Sequence, residues 1–310
     1  MSAPGTPDIS VLVCTRNRFQ DVQRCIPTIV RNRFQNFELI VVDQSDGDET
    51  RRFLDGLNDP RLTVVPTETR GLARARNLAI RLARAPIVAF TDDDCICDPD
   101  WVGNLVDQFR SHPEIHGLFG KVLPWGDHYQ EGMFCHCLIS DEEERVVCKP
   151  VPPHKYLGHG NNMAFRIDLY RKVGLYNVAM GAGTRLKSGE DTDLTFRALR
   201  KGLCLKYSPV PLVFHNNWIT LDKAARMDLG YVLGFVMVFG KFALYGEAVA
   251  IQCLRERLGE LIFKDLRESR QYRDWKRYRR TLVKIVYYFL GFFPALYFRV
   301  RGDLAWREKR

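Results

Sequence analysis

The chain has 310 residues, of which 46% are hydrophobic and 27% charged, with 23 glycines and 15 prolines. This composition excludes disordered, collagen-like and disulfide-scaffold proteins, and the length suits one large domain with an appendage, or two domains. The net charge of +9 resides in residues 251–310, which hold 16 Lys and Arg against 7 Asp and Glu, so the end of the chain is predicted to meet an anionic surface.

Apolar β-branched runs alternate with amphipathic helical patterns through the first 100 residues. Strands are predicted at Ile9–Cys14, Phe37–Val42, Leu62–Val65 and Ile87–Thr91, separated by helices over 22–30, Thr50–Leu57 and 72–83. Continuous apolar strands between such helices indicate a mostly parallel sheet covered on both faces. The fold class is therefore predicted to be α/β, with a Rossmann-like nucleotide-binding half at the start.

The next predicted helix begins at Asp98-Pro99, with Asp98 as its N-cap and Pro99 in its first position. This places Asp92, Asp93 and Asp94 in a short turn between strand and helix, at the edge of the sheet where α/β proteins bind ligands. Later elements are predicted as a helix at Arg166–Val173, a glycine-rich loop over 181–189, a helix at Asp191–Lys201, and strands at Leu203–Tyr207 and Leu212–His215. A shift in composition near 220 divides the chain into a body, 1–220, and a helical extension, 221–310.

Three adjacent carboxylates, Asp92 to Asp94, repel one another unless a cation lies between them. Mg²⁺ and Mn²⁺ take oxygen ligands and complete their shell with phosphates, so a metal-bound diphosphate fits this turn. A solvated helix-capping loop is the alternative. Glu190 and Asp191 begin a later helix, where they either complement the helix dipole or supply a catalytic base.

An ordered series of motifs links these acids to other polar residues. It consists of Cys14-Thr15-Arg16-Asn17-Arg18, Val42-Asp43-Gln44-Ser45, Arg70-Gly71 with Arg76-Asn77, Thr91-Asp92-Asp93-Asp94, Gly160-Asn161-Asn162, Gly189-Glu190-Asp191 and Phe214-His215. From Ile9 to His215, this series resembles the family 2 glycosyltransferases, which have the GT-A fold. The resemblance covers roughly two-thirds of the chain.

The resemblance implies a role for each matching residue. It places Thr15, Asn17, Asp43, Gln44, Arg76, Asp92 and Asp93 around a nucleotide-sugar, Asp94, Asp92 and His215 on Mn²⁺ or Mg²⁺, Asp191 as general base, and Glu190 beside it as an orienting group. A half-buried structural histidine stays open as the alternative for His215. Gln44 stands where family members often have a second acid, which leaves the donor base open, with uridine as the first choice.

The activity implied is an inverting transfer of a sugar from a nucleotide-diphosphate sugar to a hydroxyl of a saccharide or lipid-linked acceptor, in cell-envelope or exopolysaccharide synthesis. Asp191 would deprotonate the acceptor while the metal neutralises the leaving diphosphate. The alternatives are a nucleotidyltransferase and a non-catalytic protein that binds a nucleotide-sugar or a polyanion.

Nine scattered cysteines without a C-x-x-C pair predict a reducing compartment. The first residues lack a basic start and an apolar core, so no signal peptide is predicted, and a cytoplasmic location is expected. Cys135, His136 and Cys137, with Cys148, His154 and His159, form an irregular pattern that only weakly suggests zinc. Arg185 and Lys187 in the glycine-rich loop either close over a diphosphate or stay solvated.

The extension holds two apolar runs, Leu229–Phe239 and Ile285–Phe298, each short for a membrane span. Basic residues with interleaved Tyr and Trp surround them, a pattern typical of a helix lying in an anionic headgroup region. We therefore expect peripheral attachment to the inner face of the cell membrane through residues 229–301. Packing on the body or on a partner chain, insertion, and single-stranded nucleic-acid binding are alternatives. No nucleic-acid partner is expected, and a homo-oligomer stays open.

Overall fold

The computed structural model describes residues 5–126, 132–151 and 157–301, with side chains as far as Tyr297. The strands are β1 (Ile9–Thr15), β2 (Phe37–Asp43), β3 (Leu62–Pro66), β4 (Ile87–Asp92), β5 (Cys95–Cys97), β6 (Ile115–Pro124), β7 (Met133–Cys135), β8 (Arg145–Val147), β9 (Asn162–Arg166), β10 (Cys204–His215) and β11 (Trp218–Thr220). The helices are α1 (Phe19–Val30), α2 (Glu49–Gly56), α3 (Leu72–Leu82), α4 (Trp101–Ser111), α5 (Asp168–Val173), α6 (Glu190–Arg200), α7 (Leu221–Ala243), α8 (Ala248–Gly259), α9 (Arg267–Gln271), α10 (Trp275–Leu290) and α11 (Phe292–Arg301), with a π-helical segment at Glu260–Leu266.

Within the described residues, one sheet runs in the order β3-β2-β1-β4-β9-β6-β10-β5, and β8 also pairs with β10. Strands β1 to β4 are parallel, as are β6 and β10, whereas β9 is antiparallel to both of its neighbours. Thr15 lies opposite Asp43, and Cys14 lies opposite Asp92. The carboxyl ends of β1, β2 and β4 therefore meet at one edge. The predicted α/β class with a mostly parallel sheet is confirmed.

Two apolar cores cover the faces of the sheet because successive strand residues point to opposite sides. Ile9, Val11 and Val13 of β1 pack with α1, α2 and α4, while Leu12 packs with α3, α5 and α6. These layers leave the carboxyl edge as the place where loops carry the polar residues.

The chain between β4 and α4 departs from the prediction. The backbone N–H of Trp101 donates to the Asp98 carbonyl at 3.0 Å, and the N–H of Asp100 donates to the Asp98 carboxylate at 2.9 Å. These bonds make a turn over Asp98 and Pro99, so the helix begins at Trp101 and the prediction of Asp98 as N-cap is wrong. The three aspartates lead first into β5, which pairs antiparallel with β10.

Other boundaries also differ from the prediction. The two strands expected over 203–215 are one strand, β10, whose pairing with β6 shifts register between Ser208 and Leu212. Pro209 and Pro211 fall in this interval and cannot donate ladder hydrogen bonds, which explains both the shift and the predicted break. The helix expected from Arg166 begins at Asp168, because Arg166 ends β9.

Cys148 and Cys204 form a disulfide with their Cα atoms 4.0 Å apart. Cys148 follows β8, and Cys204 begins β10, to which β8 is paired. The spacing of the cysteines gave no sign of this contact, and the expectation of reduced thiols does not hold for this pair.

The C-terminal helices form a third apolar core that is shared with the body. Val236 and Phe239 of α7, Leu254 of α8 and Tyr288 of α10 pack there with Phe196 of α6. Helix α7 begins after Thr220, so the proposed division at 220 and 221 falls at a helix start; residues 302–310 of that extension lie outside the described residues. Among the described helices, none combines the length and apolarity needed to cross a bilayer.

A buried ion-pair triad joins α7 to α6. The Lys241 ammonium of α7 contacts one Asp193 carboxylate oxygen, and Arg197 Nε lies 2.9 Å from the other. Lys241 is 0% and Asp193 1% exposed. Burial alone would raise the pKa of Asp193, but Lys241 and Arg197 outweigh it and hold that pKa below its usual value. Because Asp193 lies one turn after Glu190, the triad ties α7 to the start of α6.

We predict that Lys241→Met lowers the free energy of unfolding by about 3 kcal/mol, because Asp193 stays buried with one cation instead of two. Urea unfolding measures the change. Lys201→Met, at the exposed end of α6, is the control and should change it by less than about 0.5 kcal/mol. Equal effects of the two substitutions would show that the triad does not join the helices.

Candidate active site

A cavity of about 530 Å³ lies at the carboxyl edge of the sheet. Its lining includes Arg18, Arg76, Asp92, Asp94, Glu190, Asp191, His215 and Asn217. A smaller cavity of about 270 Å³, lined by Thr15, Gln44, Asp92 and Asp93 among others, adjoins it through the shared Asp92. The predicted acids from both halves of the body therefore meet around connected cavities.

Arg18 compensates the charge of the aspartate turn. Its guanidinium lies 3.1 Å from an oxygen of Asp93 and 2.7 Å from Oδ2 of Asp94. Asp93 also accepts a 2.7 Å hydrogen bond from Thr15, and burial raises the pKa of Asp93 to about 7 against the charge of Arg18. The Arg18 side chain is 39% exposed, whereas the two carboxylates that it contacts are buried.

Asp94 and His215 face each other. Asp94 Oδ2 accepts from Arg18 and, at 2.9 Å, from Asn217. Oδ1 lies 3.3 Å from His215 Nε2 and accepts no hydrogen bond of good geometry from the residues that the structure describes. His215 Nδ1 lies 2.8 Å from the His136 carbonyl and donates to it. Although burial opposes the change, Asp94 raises the pKa of His215 to about 10, and His215 and Arg18 lower that of Asp94.

This pair fits a divalent cation. In the described residues, Asp94, Cys95 and His215 place one ligand atom each within 4.8 Å of one another, and all three are buried. Cys95 lies in the apolar core, and burial raises the pKa of its thiol well above its usual value, which disfavours a thiolate ligand. Asp94 Oδ1 and His215 Nε2 are suitable ligand atoms for Mn²⁺, because the His136 carbonyl accepts from the other ring nitrogen of His215 and orients the imidazole.

Arg76 connects the two acid motifs. Its guanidinium is 3.1 Å from Glu190 Oε1, 3.4 Å from Asp92 Oδ1 and 3.2 Å from the Gly160 carbonyl. Arg76 is 3% exposed. Burial and the neighbouring Asp191 raise the pKa of Glu190 to about 7 against the charge of Arg76. Glu190 is thus held by Arg76, and Asp92 pairs with Arg76 while lining the same cavity as Asp94.

Asp191 lies in the first turn of α6, beside Glu190. Its Oδ1 accepts a 2.7 Å hydrogen bond from the Thr192 N–H, and the side chain lines the 530 Å³ cavity. Gly189 precedes this turn with φ of 97°, a conformation that other residues rarely adopt. The sharp entry to the helix presents Asp191 to the cavity while Glu190 points to Arg76.

The other predicted nucleotide ligands surround the ends of β1 and β2. Asn17 exchanges hydrogen bonds with Asp46 at 2.7 and 2.9 Å, and Asp43 accepts from the Ser45 N–H at 2.9 Å. Asp43 lines an open cavity of about 900 Å³ together with Asp46. Gln44 Nε2 donates to the carbonyls of residues 69 and 71 at 2.7 and 3.3 Å. The Gln44 amide nitrogen therefore supports this loop, and the role of Gln44 in binding the nucleotide-sugar stays a prediction.

Helix α7 forms a wall of the 530 Å³ cavity through Tyr231 and Phe235. Its Gly230 carbonyl accepts a 3.0 Å hydrogen bond from the Ser188 hydroxyl of the glycine-rich loop. A Cβ on Gly234 would lie 2.8 Å from the Ser188 carbonyl oxygen. This contribution of the extension to the cavity could not be predicted from the sequence, because a glycine in an apolar run carries no signal of its contacts.

The remaining predicted residues separate into two groups. Lys187 lines the cavity, whereas Arg185 is exposed. Cys148 is bound to Cys204, and Cys135 lies against His215, so the structure does not assemble the zinc pattern; His154 lies outside the described residues. The sequence analysis also missed the role of Asn217, which follows His215 by two residues.

Comparison with known proteins shows which sequences this chain is similar to. Residues 10–135 match the family described as Glycosyl transferase family 2. The glucosyl-dolichyl phosphate glucuronosyltransferase of Haloferax volcanii is 26% identical over 181 residues, covering 56% of this chain and 57% of that protein. The succinoglycan biosynthesis protein ExoO of Rhizobium meliloti is 27% identical over 232 residues, covering 72% and 64%. The chain thus spans less than two-thirds of the length of these relatives.

A solved structure shares the fold. The mannosyltransferase PcManGT of Pyrobaculum calidifontis, in complex with GDP-Man and Mn²⁺, aligns over 98% of this chain and 88% of its own, with a TM-score of 0.59 and 18% identity. Its GT-A fold is the one that the motifs implied.

We predict that Gly234→Ala lowers the free energy of unfolding by about 2 kcal/mol, because the added methyl group overpacks the contact with Ser188. Gly259→Ala is the control, since a Cβ there meets only Phe263 at 3.9 Å. It should instead stabilise the helical segment by about 0.5 kcal/mol. Thermal and urea unfolding compare the two, and stabilisation by both substitutions would mean that α7 is not seated on the loop.

Proposed function

We propose that this chain, which belongs to glycosyltransferase family 2, transfers a sugar from a nucleoside-diphosphate sugar to a hydroxyl of a saccharide or lipid-linked acceptor, with inversion at the anomeric carbon. The reaction would serve glycan or cell-envelope synthesis. One observation carries the proposal: Asp191 and the Asp94–His215 pair line the same cavity. A base for the acceptor and a cation site for the leaving diphosphate therefore share one chamber.

Asp191 is the better placed base of the two acids in its motif. One of its oxygens accepts from Thr192, and the side chain is partly exposed in the cavity. Glu190 is 6% exposed and paired with Arg76. Asp191 takes the proton of the acceptor hydroxyl as that oxygen attacks the anomeric carbon, and Glu190 holds Arg76 in position. A single displacement of this kind inverts the anomeric centre and needs no covalent intermediate.

Asp94 and His215, with Asp92 beside them, would hold Mn²⁺ or Mg²⁺, which neutralises negative charge on the departing diphosphate. The guanidinium of Arg18 forms ion pairs with Asp93 Oδ1 at 3.1 Å and with Asp94 Oδ2 at 2.7 Å. We propose that donor binding releases this guanidinium, which then pairs with a diphosphate oxygen. Before the donor arrives, Arg18 helps to hold the pKa of Asp94 below its usual value.

The donor base would bind near the carboxyl ends of β1 and β2. Thr15, Asp43 and Asn17 lie near the cavities beside β1 and β2, and uridine stays the first nucleotide to test. The GDP-Man complex of PcManGT makes guanosine the second. A nucleotidyltransferase or a non-catalytic binding protein would not need a carboxylate at Asp191, opposite the cation site.

We further propose that the enzyme acts at the cytoplasmic face of a membrane, attached through residues 229–301. The described part of this segment exposes Phe263, Tyr272, Trp275, Phe289 and Phe293, each more than half exposed. Exposed aromatic side chains among basic residues favour a headgroup region over packing on the body. A lipid-linked acceptor would then be available to the cavity that α7 lines.

We predict that Asp94→Asn abolishes metal-dependent nucleotide binding, because the substitution removes the ionised oxygen that faces His215. Calorimetry with UDP, GDP and dTDP, in Mn²⁺ and in EDTA, measures it. Wild-type protein should bind one nucleotide more tightly in Mn²⁺, and the variant should bind it equally in both. If wild-type binding is insensitive to EDTA, the cation site is assigned wrongly.

Asp191→Asn should spare nucleotide binding and reduce turnover by at least about 100-fold, because an amide still accepts from Thr192 but cannot take a proton. The donor sugar is the one whose nucleotide binds in calorimetry, and released nucleoside diphosphate reports turnover. Asp168→Asn, in the first turn of α5, is the control and should keep wild-type rates. Near-normal turnover of Asp191→Asn would overturn the base assignment.

A further inference from the structure

A second cleft lies between α7 and α10, separate from the catalytic cavity. Its volume is about 340 Å³, and four cationic side chains line it: Arg226, Arg279, Arg280 and Lys284. Asp222 is the acid among the lining residues, and Leu229 and Val283 supply apolar surface. Four positive charges and one negative charge in a small cleft favour an anionic ligand.

The acids near the cleft compensate only part of this charge. Asp222 lies 2.5 Å from Arg280 and 3.5 Å from Lys276, and Lys284 pairs with Asp228. Arg226 and Arg279 are exposed, and no acid lies within ion-pair distance of either among the side chains described up to Tyr297. These two guanidinium groups are therefore available to bind a phosphate, whose oxygens match their planar donors.

An apolar stripe leads away from this cleft along α10. Arg279, Val283, Val286 and Leu290 follow one another at spacings of four, three and four residues, which places them on one face of the helix. Val283 is 43%, Val286 56% and Leu290 45% exposed. Phe293 of α11 is 72% exposed and follows Leu290 by three residues. A phosphate site bordered by an exposed apolar stripe is complementary to a phospholipid, which has a charged headgroup and apolar acyl chains.

We propose that the cleft binds the phosphate of an anionic glycerophospholipid headgroup, with the α10 stripe and Phe293 entering the acyl boundary of the same leaflet. This proposal rests on the membrane attachment proposed above and assigns residues to it. A free phosphate would satisfy the arginines but leave the stripe in water. A nucleic acid would satisfy them too, but aliphatic Val283, Val286 and Leu290 offer no surface on which bases stack.

The position of the cleft has a consequence for the catalytic cavity. Arg226 lies one turn before Gly230 on α7, about 6 Å along the helix axis. Gly230 and Gly234 contact the glycine-rich loop, and Tyr231 lines the cavity. A lipid headgroup held by Arg226 would therefore fix the distance between the membrane surface and the cavity wall. An acceptor carried by a lipid would meet Asp191 from that side.

The test is binding to vesicles of phosphatidylcholine alone and of phosphatidylcholine mixed equally with phosphatidylglycerol, measured by sedimentation. We expect the full chain to bind only the mixed vesicles. Arg226→Ala with Arg279→Ala should weaken that binding about 30-fold, since each basic residue at an anionic surface contributes roughly fivefold. Arg31→Ala with Arg171→Ala removes the same charge from exposed positions after α1 and on α5, and should weaken it less than about threefold.

A second double variant, Val286→Ser with Leu290→Ser, distinguishes lipid from phosphate. It should reduce vesicle binding at least about tenfold, because it removes apolar surface from the stripe. Retained vesicle binding by this variant, together with competition by inorganic phosphate, would indicate a soluble phosphate site and overturn the lipid assignment. Tighter binding of the wild type to a single-stranded oligonucleotide than to mixed vesicles would overturn it as well.

Equal vesicle binding by wild type and the arginine variant would exclude the cleft as the headgroup site. Circular dichroism and thermal unfolding confirm that each variant is folded, and all the substituted side chains are exposed. Vesicle binding uses no donor or acceptor sugar, so the two proposals can fail independently. Loss of the expected vesicle binding would contradict the headgroup site but not the transfer reaction. Absence of turnover would contradict the transfer reaction but not the vesicle result.

Discussion

The structure depends on how five carboxylates are kept together at one edge of a sheet. Asp92 ends β4, Asp93 and Asp94 follow it, and Glu190 and Asp191 begin α6. Like charges at this spacing repel and raise one another's pKa values, so the fold needs cations among them. Arg18, Arg76 and His215 supply that charge, with contacts of 2.7 to 3.4 Å to four of the five acids.

The two arginines that neutralise these carboxylates differ in exposure, and this difference distinguishes the acids that they contact. Arg76 is buried beneath Phe90 and Tyr176, so its links to Glu190 and Asp92 belong to the permanent structure. Arg18 is partly exposed and holds Asp93 and Asp94 by contacts that a divalent cation can replace. Asp191 is left facing the cavity. One guanidinium is thus buried and the other partly exposed, and our proposal for donor binding uses the exposed one.

The C-terminal helices extend this arrangement beyond the body. Lys241 reaches the buried Asp193 of α6, and Gly234 packs against the loop before Glu190. The same helix carries Arg226 on the side that faces α10. Helix α7 therefore touches both the element that bears the proposed base and the surface that we assign to the membrane. The basic extension therefore lines the cavity through α7 as well as carrying the surface that we propose attaches to the membrane.

The sequence predicted the α/β class, the four leading strands and the acid motifs, because continuous apolar runs and the residues that follow strands are local signals. It misplaced the start of α4, since an Asx turn at Asp98 resembles an N-cap in sequence. It could not show that Gln44 binds the backbone, that Arg18 bridges two aspartates or that Cys148 meets Cys204. Those contacts depend on which strands become neighbours, and β6, β9 and β10 pair across long intervals of chain.

The most direct test of the account is diffraction from crystals grown with Mn²⁺ and the nucleoside diphosphate that binds in calorimetry. The account predicts an anomalous manganese peak between Asp94 Oδ1 and His215 Nε2, with the Arg18 guanidinium moved from Asp93 and Asp94 to the diphosphate. A bound nucleotide without manganese at this position, and with Arg18 still on the two aspartates, would contradict it.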